Sequence, residues 1–364
     1  MSAAATGLSP PGTMLAVVLK GHGDFGQLEL RTVPVPMPGF GEVLVRIAAA
    51  AVNNTDINTR IGWYSRAAEQ ATAAPATGAP PPLADGGWTG APFRFPRIQG
   101  ADGCGHIAAV GAGVAASRIG ERVLIDPILR GQRADGADAG YFGADRDGAF
   151  AQFAAVPAAN ACPIRSTLSD IELASFPCSY LAAEHMLSRA SVGPADTIVV
   201  TGASGGVGSA AVQLARRRGA RVFAVSSPGK EALLRELGAE QILARDADLR
   251  SLLGHASVEA VIDCVGGMKF SQLLQILRRG GRYAVAGAIA GAIVELDLRT
   301  VYLKDLSLYG CTIPGRELFN QLIGYIERAE IRPLVSATFA LRNIVAAQQE
   351  FLQKRHVGKI VLVP

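Results

Sequence analysis

Charge is scarce in this chain. Asp, Glu, Lys and Arg together make up 18% of its 364 residues, and the balance is only +4. So small an excess argues against nucleic acid or an anionic membrane as the main partner. Cysteine is also sparse. Cys104, Cys162, Cys178, Cys264 and Cys311 are scattered with no CxxC pair among them. That speaks against a disulfide framework and for a reduced, cytoplasmic setting. No uncharged apolar run reaches the length of a membrane span. The opening MSAAATGLSPPGT has neither a basic region nor an apolar one, so it is no secretory signal and reads as a disordered leader. What is plentiful is apolar surface, 49% of residues, and glycine, 42 of them. A chain of this length and composition folds into two domains, each with its own core, and uses many tight turns.

The two halves have different rhythms. MLAVVLKGHG and GEVLVRIAAAAVN alternate like strands across the proline-rich VPVPMPGFG, and strand-and-turn patterning continues to FAQFAAVPAANACPI. Inside this β-rich region lies a stretch from Arg66 to Phe95, rich in Ala, Pro and Gly and without periodicity. It reads as a long surface loop, either a tolerated insertion or a lid, with Trp63, Tyr64, Trp88, Phe93 and Phe95 around it. From about residue 177 strands and helices alternate: DTIVVTG, GSAAVQLARRRGA, RVFAVSS, GKEALLRELGA, AVIDCVGG, FSQLLQILRRGG, RYAVAGA and LSLYGCT. This is the pattern of a doubly wound parallel sheet, an α/β fold. Here FSQLLQILRRGG reads as one helix closed by two glycines, and the final HVGKIVLVP as a strand returning to the first domain.

The strongest local signal is VVTGASGGVGSAAVQLA, a strand running into a glycine-rich turn and then a helix. Ala203 takes the first position of the usual G-x-G-x-x-G. Gly205 lets the backbone approach a pyrophosphate, Gly206 and Val207 beside it are expected to bind the cofactor, and Gly208 lets the helix pack close to the strand. The next strand ends in Ser226 and Ser227 with Lys230 after them, where an NAD enzyme usually carries Asp or Glu. Two hydroxyls and an ammonium suit a 2′-phosphate, so the expected cofactor is NADPH. The alternative is that the serines cap the helix beginning near Gly229.

IQGADGCGHI, residues 98–107, raises the question of a metal, because Cys104 and His106 would share one face of a strand. Two ligands are too few for a tetrahedral site. Seven landmarks in order, namely PMPGFGEVLVRI, AVNNTDINTRIGWY, QGADGCGHI, TGASGGVGSAAVQLA, VIDCVGG, LRRGGRYAVAG and HVGKIVL, make the chain resemble the medium-chain dehydrogenase/reductase superfamily. The resemblance implies a GroES-like catalytic domain from residues 1–176 and 317–364, a Rossmann domain over 177–316, and an active site in the cleft between them. Zinc members carry Cys, His and often Cys where this chain has Asn53, Ala101 and Cys178, and the four-cysteine structural loop is missing, so no metal is expected. Cys104, His106 and Cys178 then read as packing residues.

The zinc-free relatives are quinone and enoyl reductases, and their N-x-x-D pattern is present as Asn53 and Asp56. The resemblance implies hydride transfer from NADPH to an α,β-unsaturated carbonyl compound or a quinone. Tyr64 is the expected proton donor or oxyanion partner, unless it is only an aromatic wall. Asn53 is expected to bond the nicotinamide ribose or the substrate oxygen, unless it only serves a turn. Asp56 pins its segment, Asp263 orders the CVGG turn, and His185 is structural. Val265, Gly266, Gly287, Cys311 and Thr312 are expected to approach the nicotinamide. A homodimer paired through LSLYGCT is implied as well. Two other functions stay open: an alcohol dehydrogenase-like enzyme acting on a C–O bond, and an NADPH-binding protein without catalysis.

Overall fold

The computed structural model describes residues 10–68, 83–88, 90–131 and 138–364. Most of the expected leader, over residues 1–9, and much of the Arg66–Phe95 segment lie outside the described residues. The first region supplies strands β1 (Thr13–Leu19), β2 (Leu28–Pro34), β3 (Glu42–Ala51), β4 (Arg97–Ile98), β5 (Cys104–Val110), β6 (Arg122–Ile125), β7 (Ile128–Leu129), β8 (Gly140–Tyr141), β9 (Phe153–Pro157) and β10 (Ala161–Pro163). Its helices are α1 (Asn54–Ile61) and α2 (Asp170–Leu173), and α3 (Pro177–Arg189) leads out of it. The β-rich character expected from alternation is therefore present.

The second region alternates strictly. Strands β11 (Thr197–Val200), β12 (Arg221–Ser226), β13 (Gln241–Ala244), β14 (Val258–Asp263), β15 (Leu277–Val285) and β16 (Ser307–Gly310) are all parallel, in the order β13-β12-β11-β14-β15-β16. Between them run α4 (Gly206–Arg217), α5 (Glu231–Leu237), α6 (Leu249–Leu253), α7 (Phe270–Ile276) and α8 (Leu298–Leu303). The order reverses between β11 and β14, which opens a crevice at the carboxyl ends of those strands. Buried strands such as TIVV and VEAVID are nearly continuous apolar runs, as a sheet covered on both faces requires.

One element departs from its sequence pattern. The helix expected over FSQLLQILRRGG stops at Ile276, and Leu277 already begins β15 beside Val258 of β14. Lys304 reaches in and its Nζ donates to the carbonyls of Gln275 (2.6 Å) and Leu277 (2.9 Å). A cation at the end of a helix satisfies its last carbonyls and fixes the stop there. The two glycines are consequently strand and turn residues.

After α9 (Arg316–Glu327) the chain returns to the first region through β17 (Val335–Ala340), α10 (Ile344–Leu352) and β18 (Lys359–Val363). β18 pairs antiparallel with β3, so the two ends of the chain share one seven-stranded sheet, as the terminal HVGKIVLVP suggested. Just before β18, Gly358 forms a bridge with Gly205 and donates its N–H to the Ser204 carbonyl at 3.0 Å. The last strand of the first region is thereby tied to the glycine turn of the second, and the candidate site is built around this junction.

Candidate active site

The glycine turn is shaped for close approach. Gly202 has φ +58, a left-handed conformation that disfavours any side chain. A Cβ on Gly208 would lie 2.2 Å from the Gly202 carbonyl oxygen, so α4 can pack against the strand only as glycine. One on Gly206 would meet Ser179 Oγ at 2.6 Å and Lys359 Cδ at 2.9 Å. Gly205 is the N-cap of α4 and carries no capping side chain, which leaves first-turn N–H groups for a ligand. Ala203 is buried beneath the turn, while Gly205, Gly206 and Val207 are partly exposed.

At the end of β12, Ser226 is buried and its hydroxyl has no hydrogen-bond partner. Helix α5 starts at Glu231 with no side-chain cap, so neither Ser226 nor Ser227 caps it. Lys230 lies nearby, its Nζ donating to Ser204 Oγ (3.2 Å) and to the carbonyls of Lys354 (3.0 Å) and His356 (3.2 Å). Burial, with the neighbouring Arg245 guanidinium, lowers the pKa of this ammonium. On the other side of the crevice Asp263 is fully buried. It accepts from Thr201 Oγ1 and Tyr283 OH, both at 2.5 Å, and from the N–H groups of Val265 and Gly266. It orders the turn as expected. Val265 flanks Gly202, Gly287 sits against the Cys264 carbonyl, and Cys311 N donates to the Val285 carbonyl. These residues and Thr312 therefore gather at the carboxyl ends of β14, β15 and β16.

Facing the crevice is a buried polar cluster that joins α1, β18 and α3. Lys359 Nζ lies 2.8 Å from Asp102 Oδ2, with the two side chains 3% and 0% exposed. The same ammonium donates to Asn53 Oδ1 and, at 3.2 Å, to Ser179 Oγ. Asn53 Nδ2 donates to Asp102 Oδ2 (2.9 Å) and to the Ala51 carbonyl (3.2 Å). Both amide hydrogens and an oxygen lone pair of Asn53 are thus engaged inside the protein. This geometry gives Asn53 a positioning role at the start of α1 and leaves no amide hydrogen for a ribose or a substrate oxygen. Asp56 accepts from Asn53 N at 2.8 Å and from Gly100 N at 3.3 Å. These two bonds tie the start of α1 to the segment before β5, and burial pushes the Asp56 pKa up to about 7.

Two phenols stand next to this cluster. Tyr64, after the left-handed Gly62 that ends α1, donates to Thr55 Oγ1 at 3.0 Å. Burial raises its pKa to about 12, although its hydrogen bonds with Thr55 and Asn58 pull the other way. Tyr141 places its hydroxyl 2.9 Å from Cys178 Sγ, and Cys178 N donates to Asp102 Oδ1 at 2.6 Å. The Trp88 ring packs on Tyr141 with centroids 4.7 Å apart. Sequence reasoning singled out neither Lys359 nor Tyr141. His185 is buried in α3, where burial and Arg189 depress its pKa to about 4, in keeping with a structural residue.

Among the described residues the thiols and imidazole that raised the question of a metal are engaged elsewhere or stand apart. Cys104 is buried with Sγ 3.6 Å from Asp170 Oδ1, and Cys178 Sγ lies 2.9 Å from Tyr141 OH. His106 is half-buried on the same strand as Cys104. Among the described residues no group of three or more His, Cys, Asp and Glu side chains is placed to hold a metal ion.

A glycine turn at the switch point of a parallel sheet, closed by a β-rich domain built from both chain ends, is the architecture of two-domain dehydrogenases and reductases. Residues 39–166 match the alcohol dehydrogenase GroES-like domain and residues 206–328 the zinc-binding dehydrogenase family. A crystal structure of a Sinorhizobium meliloti protein, provisionally named an alcohol dehydrogenase, is 46% identical with a TM-score of 0.89 over 98% of each chain. The chain is also 28% identical to acryloyl-coenzyme A reductase of Metallosphaera sedula, over 96% of this chain and 99% of that protein. It is 26% identical to the quinone oxidoreductase of Rattus norvegicus, over 91% and 92% of the two chains. The chain belongs to the medium-chain dehydrogenase/reductase superfamily, with a GroES-like domain and a Rossmann domain.

Proposed function

We propose that the protein is an NADPH-dependent reductase of activated carbon–carbon double bonds or quinones that works without a metal. The observation that supports this reading is that Asn53, at a position where zinc members of the family carry a cysteine, is bound into a buried cluster with Lys359 and Asp102. The names of the Metallosphaera and rat relatives agree with it. The residues fit the cofactor. Gly205, Gly206 and the first turn of α4 would take the pyrophosphate, with Ala203 and Val207 beside them. Ser226, whose buried hydroxyl lacks a partner, would take the 2′-phosphate with Ser227, and Lys230, whose three N–H groups already reach protein oxygens, would contribute its positive charge. Val265, Gly266, Gly287, Cys311 and Thr312 would form the nicotinamide side.

When bound, NADPH supplies a hydride to the β-carbon and leaves as NADP⁺. The protein then has two tasks at the acceptor: to stabilise negative charge on its oxygen and to deliver a proton to its α-carbon. Tyr64 is the proton donor in this reading. Its high pKa keeps the phenol protonated at neutral pH, and Thr55 holds the hydroxyl in place. Dialysis against a strong chelator is expected to leave turnover of a simple enone unchanged. Loss of activity that zinc restores would contradict the proposal. The C–O reading is favoured by the provisional name of the Sinorhizobium protein, and the same chelation experiment bears on it.

A homodimer belongs to the proposal. Strand β16 pairs with β15 and closes one end of the six-stranded sheet. In the segment that leads into it, Ile293 (81%), Leu298 (67%), Tyr302 (62%) and Leu303 (57%) are exposed. An open edge beside exposed apolar side chains suits a second copy related by a two-fold axis. Sedimentation at micromolar concentration is expected to give a dimer, and Tyr302→Asp with Leu303→Asp a monomer. A wild-type monomer at that concentration would refute the arrangement.

A further inference from the structure

Each of the two phenols has a different partner, and the difference separates their tasks. Tyr64 OH is held by oxygen and amide groups of α1, namely Thr55 Oγ1 at 3.0 Å and the Asn58 side chain. Among the described residues the side-chain partner of Tyr141 OH is a sulfur, Cys178 Sγ at 2.9 Å, although the residue is 6% exposed. A buried phenol ordinarily finds a good acceptor, and a thiol is a poor one. Replacing sulfur by a carbonyl oxygen strengthens such a bond, and replacing it by an enolate oxygen strengthens it further, because charge-assisted hydrogen bonds are about twice as strong as neutral ones. With its O–H turned from the sulfur to an acceptor oxygen, Tyr141 would hold a hydrogen bond that grows as negative charge develops, which is what a transition-state contact requires.

Its position is fixed from several sides. β8 pairs with β7 through Ile128 and Tyr141, Tyr141 N donates to Asp145 Oδ2 at 2.7 Å, and the Trp88 ring packs on the phenol face. The thiol is fixed as well: Cys178 opens α3 and its N–H is anchored on Asp102, the partner of Lys359. Both phenols flank the same buried cluster: Tyr141 OH meets Cys178, whose N–H is bonded to Asp102, and Asp102 accepts from Asn53, the N-cap of the helix whose Thr55 holds Tyr64.

We propose that Tyr141 is a further catalytic residue, whose hydroxyl leaves Cys178 Sγ to donate to the carbonyl oxygen of the acceptor, while Tyr64 protonates the α-carbon. This assignment rests on the conjugate-reduction reading. Tyr141 transfers no proton: its O–H hydrogen-bonds the enolate oxygen that hydride addition creates. The electron pair of the enolate then takes the Tyr64 proton at carbon, and solvent reprotonates Tyr64.

The test uses the full-length protein, NADPH and an α-methyl enone in D₂O. It reads kcat, the NADPH dissociation constant, and the configuration of the deuterated α-carbon. Tyr141→Phe is expected to lower kcat about 10²–10³-fold, the range for loss of one oxyanion donor. Its NADPH affinity and α-carbon configuration should stay as in the wild type, which also shows that the variant is folded. Tyr64→Phe is expected to give a product with mixed α-configuration. An unchanged kcat in Tyr141→Phe, or mixed configuration in that variant, would overturn the assignment alone. Absence of turnover by the wild-type protein, with NADPH still bound, would overturn the reading beneath it and the assignment with it.

Discussion

Lys359→Met is expected to destabilise the protein by about 3–5 kcal/mol, the range for breaking a buried ion pair by removing one partner. The large effect follows from what is left behind. Asp102 has no exposed side-chain surface, and its Oδ2 would keep only the Asn53 amide as a side-chain partner. A carboxylate stranded in a low-dielectric interior is costly, and so is a lost partner for Asn53 Oδ1 and Ser179 Oγ. Pairing Lys359→Met with Asp102→Asn removes both charges and is expected to recover a good part of the loss. The measurement is the thermal or urea midpoint of the four proteins in a double-mutant cycle. Additive losses would mean that the pair is not coupled, and that the site is held together by something else.

Ser226→Asp is expected to reverse the cofactor preference. Ser226 ends β12, is buried, and has a hydroxyl with no protein partner. A carboxylate there would accept hydrogen bonds from the ribose hydroxyls of NADH and would repel the 2′-phosphate of NADPH. A charge-assisted hydrogen bond is worth ~1.5–3 kcal/mol, so NADPH affinity should fall about tenfold to a hundredfold while NADH affinity rises. Lys230 keeps its three oxygen partners in the variant, so the glycine turn should retain its shape. Titration of intrinsic fluorescence with each cofactor reads the outcome. A wild-type protein that binds NADH more tightly than NADPH would refute the assignment of Ser226, Ser227 and Lys230.

Much of this molecule was legible from local pattern, and the limits of that legibility have physical causes. The strand–glycine turn–helix unit around Gly205 is contiguous, so one short stretch of sequence contains all of its geometry. The N-x-x-D of Asn53 and Asp56 is contiguous too, and the bond from Asn53 N to Asp56 Oδ2 spans three residues. The cluster that gives Asn53 its role is not local. Lys359 lies 306 residues away along the chain and meets Asn53 only because β18 returns to pair with β3. Nothing in GKIVLVP marks its lysine as buried, because a strand lysine normally faces water. Tyr141 was hidden for a related reason. It occupies a two-residue strand, too short for periodicity, and its partner Cys178 comes from a different domain border. The end of α7 was misjudged because the residue that stops it, Lys304, lies beyond the following strand.

The arrangement also suggests why a zinc-type scaffold can hold together with a different centre. In the cluster an ammonium takes three oxygen contacts, from Asn53, Asp102 and Ser179, and so links α1, α3 and β18. Ser179 and Lys359 also crowd Gly206, so the same ammonium borders the glycine turn. The cluster therefore ties the start of α1, the start of α3 and β18 together beside the glycine turn. A buried pair of this kind adds little to net stability compared with an apolar pair, and losing one partner is costly.

The central claim is conjugate reduction without a metal, and isotope placement tests it most directly. Metal-stripped protein would be incubated with 4R- or 4S-deuterated NADPH and a simple enone, and the product analysed by NMR and mass spectrometry. Deuterium at the β-carbon of a saturated ketone, from one of the two cofactor epimers, is the predicted result. Deuterium at the carbinol carbon of an allylic alcohol would mean reduction of the C–O bond and would contradict the account.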